Sequence, residues 1–339
     1  MDSYHARARN GTGGCSAMKH PVLGVADLHC DVLSKLLSHP ELDVCQAAGG
    51  SGSRQLDVTL DRQLAAGYML QAYAIYLTES RPKTFDAVLR SIDLFYEKIV
   101  SNDAYRFVAS RQDLERSLAE RRIAALLTLE GADGLEGDFA MLRIARRLGV
   151  RLLGLTWNYG NWAADGVMEE RQGGLTEKGR QLIRHCNELG IILDVSHLTE
   201  TGFWELADRT ERPFIASHSN AKSVCAHPRN LTDDQIRALI AMGGRIGMTY
   251  VPYFVSSAEQ VHIDDILRHI EHICALGGEK HIMLGSDFDG IELYVEGLRH
   301  PGDVRSLRSA LVSEFGARQA AAFMNGNAIS FLLSELPGD

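Results

Sequence analysis

The chain has 339 residues, 45% hydrophobic and 23% charged, an ordinary globular composition with enough apolar material for a large core. That composition argues against disorder, and a formal net charge of -9 argues against a general nucleic-acid binder, which carries a basic face to meet phosphate. Six scattered cysteines, Cys15, Cys30, Cys45, Cys186, Cys225 and Cys274, form neither a CxxC pair nor a disulfide-dense pattern, so a reducing, cytoplasmic setting is expected.

Residues 1–17 lack the apolar core of a secretory signal and read as a flexible leader, with residues 18–339 as one barrel domain. The apolar run Val22–Ala26 reads as a first buried strand. It leads into Asp27-Leu28-His29-Cys30-Asp31, where alternation turns His29 and Asp31 the same way and Cys30 away from them. A helix is expected over Val32–Leu37, a flexible connection at Gly49-Gly50-Ser51-Gly52-Ser53, a short helix over Leu60–Ala66 and a second strand over Met69–Leu77. Val88, Leu89, Ile92, Phe95 and Ile99 recur at helical spacing and predict a surface helix over Phe85–Val100.

From there strand and helix alternate. Strands are predicted at Ile123–Leu129, Arg151–Thr156, Ile191–Ser196, Phe214–Ser217, Arg245–Tyr250 and Ile282–Ser286. Helices fall between most of them, at Phe139–Leu148, Leu175–Leu189, Thr201–Arg209, Asp233–Met242 and Asp264–Leu276. Eight strands with helical connections and no separating linker predict a TIM-like (β/α)8 barrel. The alternative, an open doubly wound sheet, lacks a glycine-rich phosphate loop after the first strand. Two further helices, Val304–Phe315 and Arg318–Leu333, are expected to close the barrel from outside. No apolar run is long enough to span a bilayer and Leu336-Pro337-Gly338-Asp339 carries no hydrophobic anchor, so a soluble protein without a membrane anchor is expected.

A barrel demands that chemistry collect at the carboxyl ends of several strands. His29 and Asp31 follow the first predicted strand, Glu130 ends the third, His197 the fifth, His218 the sixth and Asp287 the eighth. Each alone has an ordinary structural explanation, a packed histidine or a turn carboxylate; together at one rim they suit two borderline divalent ions such as zinc. Paired ions lower the pKa of a shared water and polarise a carbonyl, which is hydrolytic chemistry. Neither HExxH nor a GxSxG elbow occurs.

The order of these motifs resembles the renal-type membrane dipeptidases of the metallo-dependent hydrolase superfamily, from about Val22 to Leu333. The matching stretches are Asp27-Leu28-His29-Cys30-Asp31, Leu129-Glu130-Gly131-Ala132, Asp194-Val195-Ser196-His197, Ala216-Ser217-His218-Ser219 running on to His227-Pro228-Arg229-Asn230, and Gly285-Ser286-Asp287-Phe288-Asp289-Gly290. The resemblance implies two Zn2+ ions, one held by His29 and Asp31 and the other by His197 and His218, with Glu130 bridging them. Asp287 is then the base that takes the proton from the attacking water and passes it to the leaving amine; if Asp287→Asn kept near-normal kcat, Asp289 would be the obvious substitute. Arg229 binds the terminal carboxylate of a dipeptide, a role its planar fork suits. Where animal members carry a substrate-contacting histidine this chain has Trp157, so its indole N–H or the Asn158 amide becomes the candidate donor to the oxyanion. A homodimer is also implied. The competing readings are an amidohydrolase acting on N-acyl amino acids or a related amide, and a metal-binding barrel without turnover.

Overall fold

The computed structural model describes residues 24–45 and 55–338, so the expected leader and the Gly49–Ser53 connection lie outside the described residues. Nine strands form one sheet: β1 (Val25–Asp27), β2 (Tyr68–Tyr76), β3 (Tyr105–Val108), β4 (Ile123–Glu130), β5 (Val150–Gly154), β6 (Ile192–Asp194), β7 (Ile215–Ala216), β8 (Arg245–Met248) and β9 (Ile282–Leu284). Every pairing is parallel. Because β2 pairs with β4 along Leu70–Tyr76 and Ala124–Glu130, the sheet closes on itself. The result is an eight-stranded TIM-like barrel made of every strand except β3. All eight predicted strands are present, several of them shorter at the carboxyl end than their apolar runs.

Segment 101–122 corrects the simple alternation. Tyr105–Val108 runs alongside Ile123–Leu126, on the edge of β4 that β5 takes over from Leu127, and helix Arg111–Glu120 follows it. Four residues of strand are too few to register as a periodic run. The helix predicted over Phe85–Val100 is α-helical to Phe95 and widens into a π turn over Tyr96–Val100.

Six connecting helices open on Thr84, Ser110, Asp138, Thr176, Thr199 and Thr232, whose side chains each accept a backbone N–H of the first turn. Helix starts are therefore written locally, which is why the sequence places most of them within two residues. Strand side chains divide by alternation. Tyr73, Ile75, Leu127, Leu153 and Ile246 join the cluster formed with the surrounding helices. Ala72, Leu126, Leu152, Ile192, Ile215 and Met283 form a separate inner cluster.

That inner cluster also contains Phe331, Leu332 and Leu336. Helix Asn327–Glu335 therefore does not lie outside the barrel as expected; it plugs the mouth at the amino ends of the strands. It is anchored by the first residues of β9, β8 and helix Arg111–Glu120: Asn327 Nδ2 donates to Ile282 O at 2.8 Å, Arg245 Nε donates to Asn327 O at 3.0 Å, and Arg111 N donates to Pro337 O at 2.8 Å. The carboxyl mouth is left for the site. No helix among the described residues is long and apolar enough to cross a membrane.

Candidate metal centre and active site

Six side chains predicted from strand ends converge at the carboxyl mouth, and all but Asp287 and Glu130 belong to residues that are fully buried. His29 Nε2 stands 3.5 Å from Glu130 Oε2, 3.6 Å from Asp31 Oδ2 and 3.8 Å from Asp287 Oδ1. Glu130 Oε1 lies 2.8 Å from His197 Nε2 and 3.6 Å from His218 Nε2, so its two oxygens face opposite sides of the cluster. Cys30 is turned away, its thiol donating to Ala72 O at 3.3 Å. His197 and Asp287 both adopt left-handed backbone, φ 73° and 67°, which non-glycine residues rarely hold without surrounding structure to enforce it.

The imidazoles are oriented by Asn158, for which the sequence suggested a different role, and by Ser217 and Asp194, to which it assigned none. Asn158 Oδ1 accepts from His197 Nδ1 at 2.8 Å, turning the Nε2 lone pair toward Glu130. Ser217 Oγ donates to Asp194 Oδ2 at 2.5 Å and accepts from His218 Nδ1 at 2.8 Å, which aims the His218 Nε2 lone pair inward. Asp194 also accepts from Ser196 N and Ser217 N, tying the end of β6 to that of β7. Asp27 repeats the device, accepting from Ser286 N at 2.9 Å and Ser286 Oγ at 2.6 Å, and so ties β1 to β9. The recurrence of an acid followed by serine or histidine, Asp27…His29 and Asp194…Ser196-His197, was the signal available in sequence.

Two inward lone pairs, His197 Nε2 and His218 Nε2, face each other at 2.8 Å, while His29 Nε2 and Asp31 Oδ1 are buried without a hydrogen-bond partner. Burial, reinforced by the Arg229 cation, pushes the His197 imidazole down to about 4; burial and then His29 push His218 well below its usual value. Both rings are therefore neutral at physiological pH. Burial alone raises Glu130, but His29 and His197 outweigh it and its carboxyl lies well below the usual range. Burial alone lowers His29, and Glu130 and Asp31 outweigh that too, holding it well above its usual value. Neutral imidazoles and carboxylates that draw positive charge to their midst fit divalent cations. Donor atoms of His29, Glu130 and His218 lie within 4.8 Å of one another, as do those of His29, Asp31 and Asp287.

A cavity of about 230 Å3 opens above this cluster, walled by Tyr76, Trp157, Asn158, Tyr253 and Phe254. Trp157 stacks on Tyr76 and Tyr159 with ring centroids 5.1 and 6.1 Å apart. Arg229 is drawn to the same mouth but lines an adjoining crevice of about 30 Å3 that shares His197. Its guanidinium is buried, donates to His218 O at 3.2 Å, lies 5.3 Å from the Phe254 ring centroid and leaves Nε without a partner. Among the described residues it forms no ion pair, and the carboxylates whose charge reaches it, Asp287 and Glu130 first, stand beyond contact distance. Asp289 does not offer itself as a second base: its oxygens accept from Asp57 N and Val58 N at 2.8 and 2.9 Å, and Lys35 Nζ lies 2.8 Å away.

Comparison with known proteins shows what the whole chain is similar to. The family described as membrane dipeptidase (peptidase family M19) matches residues 18–333. A Klebsiella pneumoniae protein, named only for its place in the pqqA 5' region, is 38% identical over 198 residues, 56% of this chain and 73% of that one. An uncharacterized dipeptidase of Schizosaccharomyces pombe is 36% identical over 180 residues, 52% of this chain and 44% of that one. The crystal structure of dipeptidase AC, a metallopeptidase, superimposes with a TM-score of 0.84 at 25% identity over 94% of this chain and 100% of that one. A Rhodobacter sphaeroides metallopeptidase, liganded with a phosphinate mimic of the dipeptide L-Ala-D-Ala, shares the fold with a TM-score of 0.84 at 24% identity, over 93% of this chain and 100% of that one.

Proposed function

The chain belongs to the membrane dipeptidase family, peptidase family M19, and is a metal-dependent dipeptidase; from that premise we propose which of its residues do the work. His29 and Asp31 would hold one zinc ion and His197 and His218 the other, with Glu130 within reach of both sides. When bound, the ions supply Lewis acidity toward the peptide carbonyl and lower the pKa of the attacking water. Asp287 would take a proton from the attacking water and deliver it to the nitrogen of the leaving amine. Burial raises its carboxyl above the usual range, the direction that strengthens a proton acceptor.

The single observation that carries the dipeptide assignment is Arg229, a buried guanidinium with no carboxylate of its own. Burial lowers its pKa, although Asp287, Glu130 and Asp194 oppose this from beyond ion-pair distance, so a directly bonded anion is favoured, and the free carboxylate of a dipeptide is an anion of the right shape. Holding that carboxylate places the scissile bond one residue away, over the donor cluster. Trp157 and Tyr76 form the wall against which the substrate's side chains pack. Asn158, its carbonyl committed to His197, keeps its amide N–H free to donate toward the oxyanion. The test is turnover, with zinc supplied, of a dipeptide, its C-terminal amide and its N-acetyl form. Efficient cleavage of the free dipeptide alone supports this reading; preference for the N-acetyl form would replace it with an N-acyl amino acid hydrolase.

A further inference from the structure

Asp287 stands in a turn that needs outside support. Asp287 and Asp289 both have left-handed backbone, φ 67° and 69°, and Gly290 N donates back to Asp287 O at 3.1 Å. Gly290 is packed so closely that a Cβ there would lie 2.2 Å from Asp31 Oδ2 and 2.6 Å from Asp287 Oδ1. Two strained residues three and five positions beyond the end of β9 do not keep such an arrangement unaided. The support comes from a buried charge cluster beside the site. Lys35, on helix Val32–Ser38, places Nζ 2.8 Å from Asp289 Oδ1, 3.9 Å from Asp57 Oδ2 and 3.1 Å from Gln55 O. Asp289 in turn takes both N–H groups of Asp57 and Val58, and Asp57 Oδ2 accepts from Tyr294 Oη at 2.9 Å. The Asp57 and Asp289 side chains are fully enclosed and the Lys35 side chain is 14% exposed, so their attraction is little screened. Burial, then the Asp289 charge, raises the Asp57 carboxyl to about 6, the strain expected of two carboxylates sharing one ammonium.

We propose that the Lys35–Asp289 ion pair is a positioning device for the general base: it pins the Asp287–Gly290 turn to helix Val32–Ser38 and to segment 55–58, so that Asp287 is aimed at the reaction centre in the resting protein. This rests on the reading of Asp287 as the base. Lys35 and Asp289 are positioning residues and act through Asp287. The helix that carries Lys35 begins directly after Asp31, so one ion pair couples the first-strand loop to the last-strand loop, the two that bring His29, Asp31 and Asp287 together.

The test uses Asp289→Asn, which keeps the shape and one backbone acceptor but opposes an amide N–H to Val58 N and loses the ion pair. Lys35→Met is the companion, leaving two enclosed carboxylates without their cation. Hydrogen exchange of the metal-free proteins should show the peptide covering residues 285–291 exchanging roughly tenfold faster or more in Asp289→Asn, with strand β8 unchanged. In zinc-loaded protein kcat on a dipeptide should fall roughly 10- to 100-fold, as expected for a displaced base, with KM and zinc content near those of wild type. Unchanged exchange over residues 285–291, kcat within twofold of wild type, or a loss that follows zinc content would each overturn the proposal. If Lys35→Met does not fold, Asp289→Asn still decides. Should the wild type hydrolyse no dipeptide, the assignment of function fails, while the exchange experiment still reports whether the ion pair holds the turn.

Discussion

Replacing Arg229 with methionine separates recognition from stability in one variant. The guanidinium is buried, has one hydrogen bond to His218 O, stacks on Phe254 and has no anionic partner among the described residues. In the complex it gains a substrate carboxylate, and truncating one member of a buried, hydrogen-bonded charge pair costs about 2–5 kcal/mol. At about 1.4 kcal/mol per decade this is roughly a 30- to 3,000-fold fall in kcat/KM on a free dipeptide. On the C-terminally amidated analogue, which cannot offer a carboxylate, the same change should cost less than about tenfold by the same conversion. The folded protein should scarcely notice. Loss of the hydrogen bond and of a cation–π contact of about 1–2 kcal/mol is offset by removing an unpaired buried charge that methionine replaces with apolar volume. A Tm shift under about 3 °C is expected, on the scale of 1 kcal/mol in a chain of this size. Equal losses on the acid and the amide, or a Tm fall beyond about 10 °C, would show that Arg229 supports the fold or the metal ligands and would refute the argument.

Glu130→Ala removes the carboxylate both sides of the cluster face, and metal analysis after dialysis should find both ions lost together with activity; two retained ions would take Glu130 out of the site. Asp287→Asn preserves shape without accepting a proton, so kcat should drop by about 10²-fold or more at near-normal metal content, measured by steady-state kinetics. Asn158→Ala frees the His197 Nδ1 proton from its acceptor, and zinc affinity by competition with a chelator should weaken about 10- to 100-fold. Phe331→Ala hollows the plug at the opposite mouth and should cost about 3–5 kcal/mol in denaturant unfolding, with kcat/KM at 25 °C kept within about twofold.

By itself the sequence determined the barrel and which side chains gather at its rim. Alternating apolar runs and helical faces specify strands and helices locally, and in a parallel barrel all carboxyl ends share one rim, so His29, Glu130, His197, His218 and Asp287 could be read as neighbours without knowing any distance. Even the inward and outward division at His29, Cys30 and Asp31 follows from alternation. What only the tertiary structure decided depends on which loops meet. Asn158 reaches His197 across 39 residues and Asp57 reaches Asp289 across 232, pairings that no local period encodes. The same holds for Asp194 with Ser217 and for Asp27 with Ser286, where the sequence displayed the acids but not what they tie together. Helix Asn327–Glu335 has an apolar face that would suit either the outside or the inside of a barrel. Its place under the amino mouth is set by the inner cluster that needs covering, with Ile282 O and the Arg245 guanidinium there to meet its first residue.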